Sequence, residues 1–177
     1  MYHQYGDIVL LKGTDFKSRV LIDWLTDCRY HHSGLLTDEL TMDIMTQRGV
    51  ISNHLVDDME EENYDEYLIL QHRDMTLRLR EKIKQINEEK FRNKKYDNTN
   101  INRLVKKLLF RKFVGKELDK EDISDGGLFC HSRMGKMYRE AGLALPQEIH
   151  TSQLIASHFM EIPFRVVGRG NRLGRSY

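Results

Sequence analysis

At 177 residues the chain is long enough for one domain with a real core and short for two. Hydrophobic residues make up 40% and charged residues 31%, the balance of an ordinary globular domain. The formal net charge of +1 argues against a dedicated nucleic-acid binder, and no specific nucleic acid is expected. No apolar run approaches the length needed to cross a bilayer, and the opening MYHQYGDIVLLKG lacks the sections of a secretory signal. Two cysteines, Cys28 and Cys130, cannot make a disulfide scaffold, so a reducing, cytoplasmic setting is expected, the host cytoplasm if the source is viral or phage.

Asp7 to Leu11 (DIVLL) follows a glycine and is the apolar run of a buried strand. Gly13-Thr14-Asp15 then offers a turn and a cap, and Phe16, Val20 and Trp24 share one face of a helix that stops near Asp27 or Cys28. Tyr30 to Leu36 (YHHSGLL) reads as a strand in which Gly34 allows close backbone approach. Leu40 to Met45 alternates apolar and polar residues and should pair with it, and Arg48 to Ile51 turns into another strand. The acidic stretch Asp57 to Glu62 reads as a solvated loop or helix end, and Tyr67 to Leu70 as a further strand.

From Arg73 the character becomes helical. Leu77, Leu79, Ile83 and Ile86 predict a helix that ends before Asn93. Leu104, Val105, Leu108, Leu109 and Val114 give a second amphipathic helix, which carries Arg103, Lys106, Lys107, Arg111, Lys112 and Lys116 with no acid among them. Asp125-Gly126-Gly127 opens a third helix, Leu128 to about Ala141, closed by Gly142. Phe164 to Val167 looks like a late strand, followed by a basic, glycine-rich tail expected to be mobile. This order predicts an α+β domain with an antiparallel sheet.

A thiol is a good nucleophile only as thiolate, and a helix N-terminus favours that negative charge. Cys130 falls in the first turn of the third helix, where backbone N–H groups also suit an oxyanion. Against this, Cys130, Met134, Met137, Tyr138 and Ala141 form one apolar stripe, and pattern alone favours core packing. Cys28 sits at a helix end, where the dipole opposes a thiolate. A base is also needed, and eight histidines thin the meaning of any one. His131 adjoins Cys130, and consecutive helical side chains are expected to point apart. His31 and His32 lie on a strand, so they face opposite sides. Asp43 and Glu39 are both placed to orient an imidazole. A zinc site would want more clustered ligands than Cys130-His131 supplies, so no metal and no other cofactor is expected.

Taken in order, these pieces resemble the circularly permuted branch of the NlpC-type papain-like hydrolases, with YiiX-like, poxviral and lecithin retinol acyltransferase-like members. Gly6-Asp7-Ile8-Val9-Leu10 resembles the opening strand, and Phe16 to Thr26 the helix that follows. His31-His32-Ser33-Gly34-Leu35-Leu36 resembles the histidine strand, which makes His32 the base. Asp43 stands six residues before Gly49-Val50, at the third polar position, where glutamate is common. Tyr96-Asp97 resembles a tyrosine segment that lines the substrate site, and Phe129-Cys130-His131-Ser132 through Leu143 the nucleophile helix.

The resemblance implies a permuted papain-like fold: an antiparallel sheet or half-barrel against helices, with the nucleophile at a helix N-terminus. It implies a single domain over residues 1–167 with a helical insertion at about 102–118, and a tail over 168–177. The function it implies is a cysteine-dependent hydrolase or acyltransferase acting on an amide, ester or thioester of a peptide or lipid. Cys130, His32 and Asp43 are then the catalytic residues, with Tyr96, His31 and Trp24 at the substrate. The alternative is a catalytically silent binding module that uses the basic helix from Arg103 to Lys116 on a membrane surface, a nucleic acid or a protein.

Overall fold

The structure is a computed structural model and describes residues 4–46, 48–61, 63–94, 98–115, 130–145, 155–160 and 163–171. The elements run β1 (Ile8–Gly13), α1 (Phe16–Thr26), β2 (His32–Leu36), β3 (Thr41–Thr46), β4 (Gly49–His54), α2 (Leu55–Glu60) and β5 (Tyr64–His72). There follow α3 (Leu77–Ile86), a π-helical turn (Asn87–Phe91), α4 (Asn98–Val114), α5 (Cys130–Ala141), the short α6 (Ala156–Phe159) and β6 (Phe164–Asn171). The six strands form one antiparallel sheet in the order β4-β3-β2-β1-β5-β6. The molecule is thus an α+β fold, a six-stranded antiparallel sheet packed against helices. Among the described residues no helix is long and apolar enough to cross a membrane.

Strand β1 explains the unbroken run IVLL. It lies mid-sheet with both faces covered, and Ile8, Val9, Leu10 and Leu11 are all buried. Ile8 and Leu10 join Leu35, Met45, Ile83, Met134, Met137 and Tyr138 on the side of α3 and α5. Val9 and Leu11 join Leu36, Met42, Ile44, Leu55 and Ile69 on the other. The predicted apolar stripe of α5 is buried from Cys130 to Ala141. Gly142 ends that helix at φ +94°, and the Leu143 N–H reaches back to the Tyr138 carbonyl at 2.9 Å.

Several sequence expectations change. Val20 and Trp24 share a face of α1 as their spacing requires, and that apolar face is exposed. The acidic stretch is a helix end, the last residues of α2, but its Asp58 is buried rather than solvated and receives hydrogen bonds from Asn53 and Asn63. The last strand runs on to Asn171, so residues 168–171 belong to the sheet beside β5 rather than to a tail, and residues 172–177 lie outside the described ones. The basic helix starts earlier than expected, at Asn98.

Asp7 shows why a carboxylate opens β1. It is buried, and its Oδ1 accepts from Arg80 Nη1 on α3 at 2.9 Å, which ties the helix to the central strand. The Tyr138 hydroxyl on α5 donates to the Gly6 carbonyl, so both core helices are bolted to the same corner of the sheet.

Gly34 sits where β2 passes β3, and a β-carbon there would stand 3.3 Å from the Asp43 carbonyl oxygen. Backbone cannot swing aside as a side chain can. Gly34→Val is expected to lower stability by about 1–3 kcal/mol, read as a shifted urea midpoint; an unchanged midpoint would mean that β2 and β3 can separate freely.

Candidate active site

Cys130 is the first residue of α5 and is buried. Its Sγ lies 3.3 Å from His131 Nδ1 within a hydrogen bond. The His32 imidazole, at the start of β2, stands beside the same sulfur, close enough for its charge and hydrogen-bonding capacity to act on it. Two imidazoles therefore flank one thiol. Burial by itself pushes the Cys130 thiol up, but the charges and hydrogen bonds of His131 and His32 outweigh it and hold the thiol well below its ordinary range. The effect is mutual at His32: burial lowers its basicity, and the neighbouring sulfur more than restores it, so the ring is a stronger base than usual. Cys28 is the contrast, because burial raises its thiol and no imidazole offsets the rise.

The contact with His131 corrects the expectation that neighbouring helical side chains diverge. That rule holds in a helix interior, where the preceding turn restricts χ1. Cys130 and His131, the first two residues of α5, converge instead. The His131 ring also stacks on Phe159 of α6 with centroids 6.2 Å apart, which fixes its plane.

Asp43 does not stand at the imidazole. The register pairs Asp43 with Leu35, three residues along β2 from His32. Three strand residues span about 10 Å and reverse the side-chain direction. Among the described residues Asp43 instead accepts from Ser52 Oγ at 2.6 Å and Asn87 Nδ2 at 3.0 Å, and faces Arg133 Nη2 at 3.5 Å. Arg133 is fully buried; its Nη2 donates to Asn87 Oδ1 at 2.5 Å and its Nη1 to the Asp43 carbonyl at 3.2 Å. Asp43 is thus the counter-ion of a buried guanidinium, one helical turn from Cys130. His32 Nδ1 is buried and has no hydrogen-bond partner among the described residues.

The other expected site residues are dispersed. His31 Nε2 is hydrogen-bonded to Asp23 Oδ1 of α1 at 2.6 Å, which draws that ring away from the thiol. Trp24 packs edge-on against Phe113 of α4, with centroids 5.6 Å apart. Tyr96 lies outside the described residues. Sequence reasoning missed Tyr64, the first residue of β5, whose ring meets the His32 ring edge-on at 6.4 Å. Burial, then the Asp58 carboxylate and the Cys130 sulfur, push the Tyr64 hydroxyl strongly up, so it stays protonated and can donate. Its position depends on the β1–β5 pairing, a long-range contact with no local signal. Among the described residues no three His, Cys, Asp or Glu side chains are grouped to hold a metal ion.

No protein-family model matches the chain, and no curated protein is similar to it. Among solved structures the chain is similar to a crystal structure described as the metalloprotein YiiX from Escherichia coli O157:H7 (DUF1105). The two share 18% identity over 83% of this chain and 71% of that one, with a TM-score of 0.49. At that level the likeness says nothing about chemistry, which rests on the residues above.

The contacts separate two roles for Asp43. Asp43→Asn leaves the buried Arg133 without its anion and is expected to cost about 3–5 kcal/mol, measured by urea unfolding. In the molecules that remain folded, the pH dependence of Cys130 alkylation is expected to stay as in the parent. A profile shifted to that of a His32 variant, with stability intact, would restore Asp43 to the imidazole.

Proposed function

We propose that this protein is a cysteine-dependent hydrolase or acyltransferase acting on an amide, ester or thioester carbonyl. The observation that carries the reading is the buried Cys130 thiol at the N-terminal turn of α5, touched by His131 and flanked by His32. A thiol placed only for packing needs no imidazole, and two of them desolvated beside one sulfur are costly unless they serve its ionisation.

In this reading the Cys130 thiolate attacks the carbonyl carbon, and the negative charge moves to the carbonyl oxygen. Backbone N–H groups of the first turn of α5 suit that charge, and the Tyr64 hydroxyl is available as a further donor. His32, as imidazolium, gives its proton to the leaving amine, alcohol or thiol, leaving an acyl-thioester on Cys130. Water or a second acceptor then attacks the thioester while His32 takes its proton, and the thiol is regenerated. Water gives hydrolysis; another nucleophile gives acyl transfer. His131, in contact with the sulfur, also stabilises the thiolate. The working unit is a thiol with two imidazoles rather than a Cys-His-Asp triad, because Asp43 is committed to Arg133.

The test is the pH dependence of iodoacetamide alkylation, with Cys28 as internal control. A thiol held below its ordinary value becomes reactive at lower pH, so Cys130 is expected to react well under the ~8.5 of a free thiol, and Cys28 above it. His32→Ala and His131→Ala remove the two lowering influences and leave burial, so each variant is expected to move the Cys130 profile to higher pH. Together they should carry it past that of a free cysteine. Cys130 titrating with Cys28 in the parent protein would overturn the reading and leave a silent binding module. For turnover the expected profile is bell-shaped, with the acid limb set by Cys130 ionisation and the alkaline limb by loss of the His32 proton. Cys130→Ser should abolish the release of p-nitrophenol from a simple activated ester, and an undiminished rate in that variant would place the chemistry elsewhere.

A further inference from the structure

Eleven large hydrophobic side chains are exposed among the described residues, and six of them gather on two helices: Val20, Leu21 and Trp24 of α1, and Phe110, Phe113 and Val114 of α4. The patch is continuous. Val20 and Leu21 lie one turn from Trp24, and Phe110 and Val114 flank Phe113 on one helical face. Trp24 and Phe113 join the two sets by their edge-on contact. Phe113 is 76% exposed and Trp24 46%, which water does not favour for side chains of that size.

Charge surrounds this patch. The 17 residues of α4 contain Arg103, Lys106, Lys107, Arg111 and Lys112 and no acid. Lys106 and Arg111 are exposed beside the aromatic residues. Lys112 leans over the Trp24 ring and is bound to Asp27 at 2.7 Å, so it braces the two helices together. Among the described residues, α4 has α1 as its main neighbour, and none of its side chains joins the buried core. An element rich in aromatics and cations that contributes little to the core has its use outside it.

We infer that α1 and α4 together form a docking face for an anionic lipid bilayer, with Trp24, Phe110 and Phe113 entering the headgroup boundary and Lys106 and Arg111 meeting its negative charge. Rings on an amphipathic face with basic flanks match the interfacial zone, where an aromatic body is buried and a cation faces phosphate. The aliphatic Val20, Leu21 and Val114 within the same patch match hydrocarbon and offer nothing for a base to stack on, which favours a bilayer over a nucleic acid. The face is tied to the strand that carries His32: Asp23, next to Trp24, is hydrogen-bonded to His31. The inference rests on the patch and not on the Cys130 chemistry, so Cys130→Ser is expected to bind vesicles like the parent.

Trp24 is the sole tryptophan, so its fluorescence reports on this face alone. The full chain is mixed with vesicles of phosphatidylcholine containing 30% phosphatidylserine, and with phosphatidylcholine vesicles as control. Expected are co-sedimentation with the anionic vesicles only, a blue shift of Trp24 emission, and quenching by brominated acyl chains. Raising NaCl to 0.5 M should release the protein by screening. Lys106→Glu and Arg111→Glu should each weaken binding by about fivefold or more, and Phe113→Ser should remove the quenching while leaving circular dichroism unchanged. Equal binding to both vesicle types, no binding to either, or a self-association that Phe113→Ser abolishes without any vesicle binding would each overturn the proposal.

Discussion

Arg133 carries a guanidinium into the interior, and much of the molecule is arranged around making that tolerable. A charge there is stabilised when its sign is balanced and its terminal donors are met, and Arg133 has both, although its Nε has no partner among the described residues. Asp43 from β3 balances it, Asn87 from the π-helical turn takes a further donor, and the Asp43 carbonyl takes another. The partners come from two separate elements, β3 and the π-helical turn, so the network fixes their positions against α5 more tightly than apolar packing does. Asn87 is shared, since its Nδ2 donates to both Asp43 and the Tyr5 hydroxyl. The π-helical turn gives that residue its placement, and a break in helical periodicity at such a point is a common mark of a positioned side chain.

This network lies one turn from Cys130. Because Arg133 cannot shift without losing its partners, the first turn of α5 cannot slide along the sheet, and the thiol stays beside His32 at the head of β2. At the helix's other end the Tyr138 hydroxyl anchors to Gly6, while Asp7 next to it binds Arg80 of α3. Two buried polar anchors therefore set the pose of one helix. The geometry on which thiol chemistry depends is supported by groups that need never touch a substrate.

The elements differ in how they are held. The sheet and α3 with α5 share one apolar core, whereas α4 leans on α1 at the periphery. His31, tied to Asp23, is the polar link between α1 and the strand that carries His32. Whatever engages the α1–α4 face thus acts on an element hydrogen-bonded to His31, the chain neighbour of His32.

The sequence by itself determined the class of fold and most of its elements. The DIVLL run, the YHHSGLL strand, the alternation in LTMDIM and the apolar stripe of α5 are local patterns whose spacing mirrors the geometry they adopt. It also singled out Cys130, as a thiol at a helix start, and the pair His31–His32 on a strand, between which the family resemblance chose His32. What only the tertiary structure decided were the pairings across the chain. Asp43 looked available to an imidazole until the β2–β3 register set it opposite Leu35. His131 looked turned away until its Nδ1 stood at the Cys130 sulfur, and Trp24 looked like a site residue until α1 turned that face outward. Tyr64 carried no local mark at all. Periodicity tells which side chains share a face; register and docking tell which face meets which, and those depend on contacts between residues far apart in the chain.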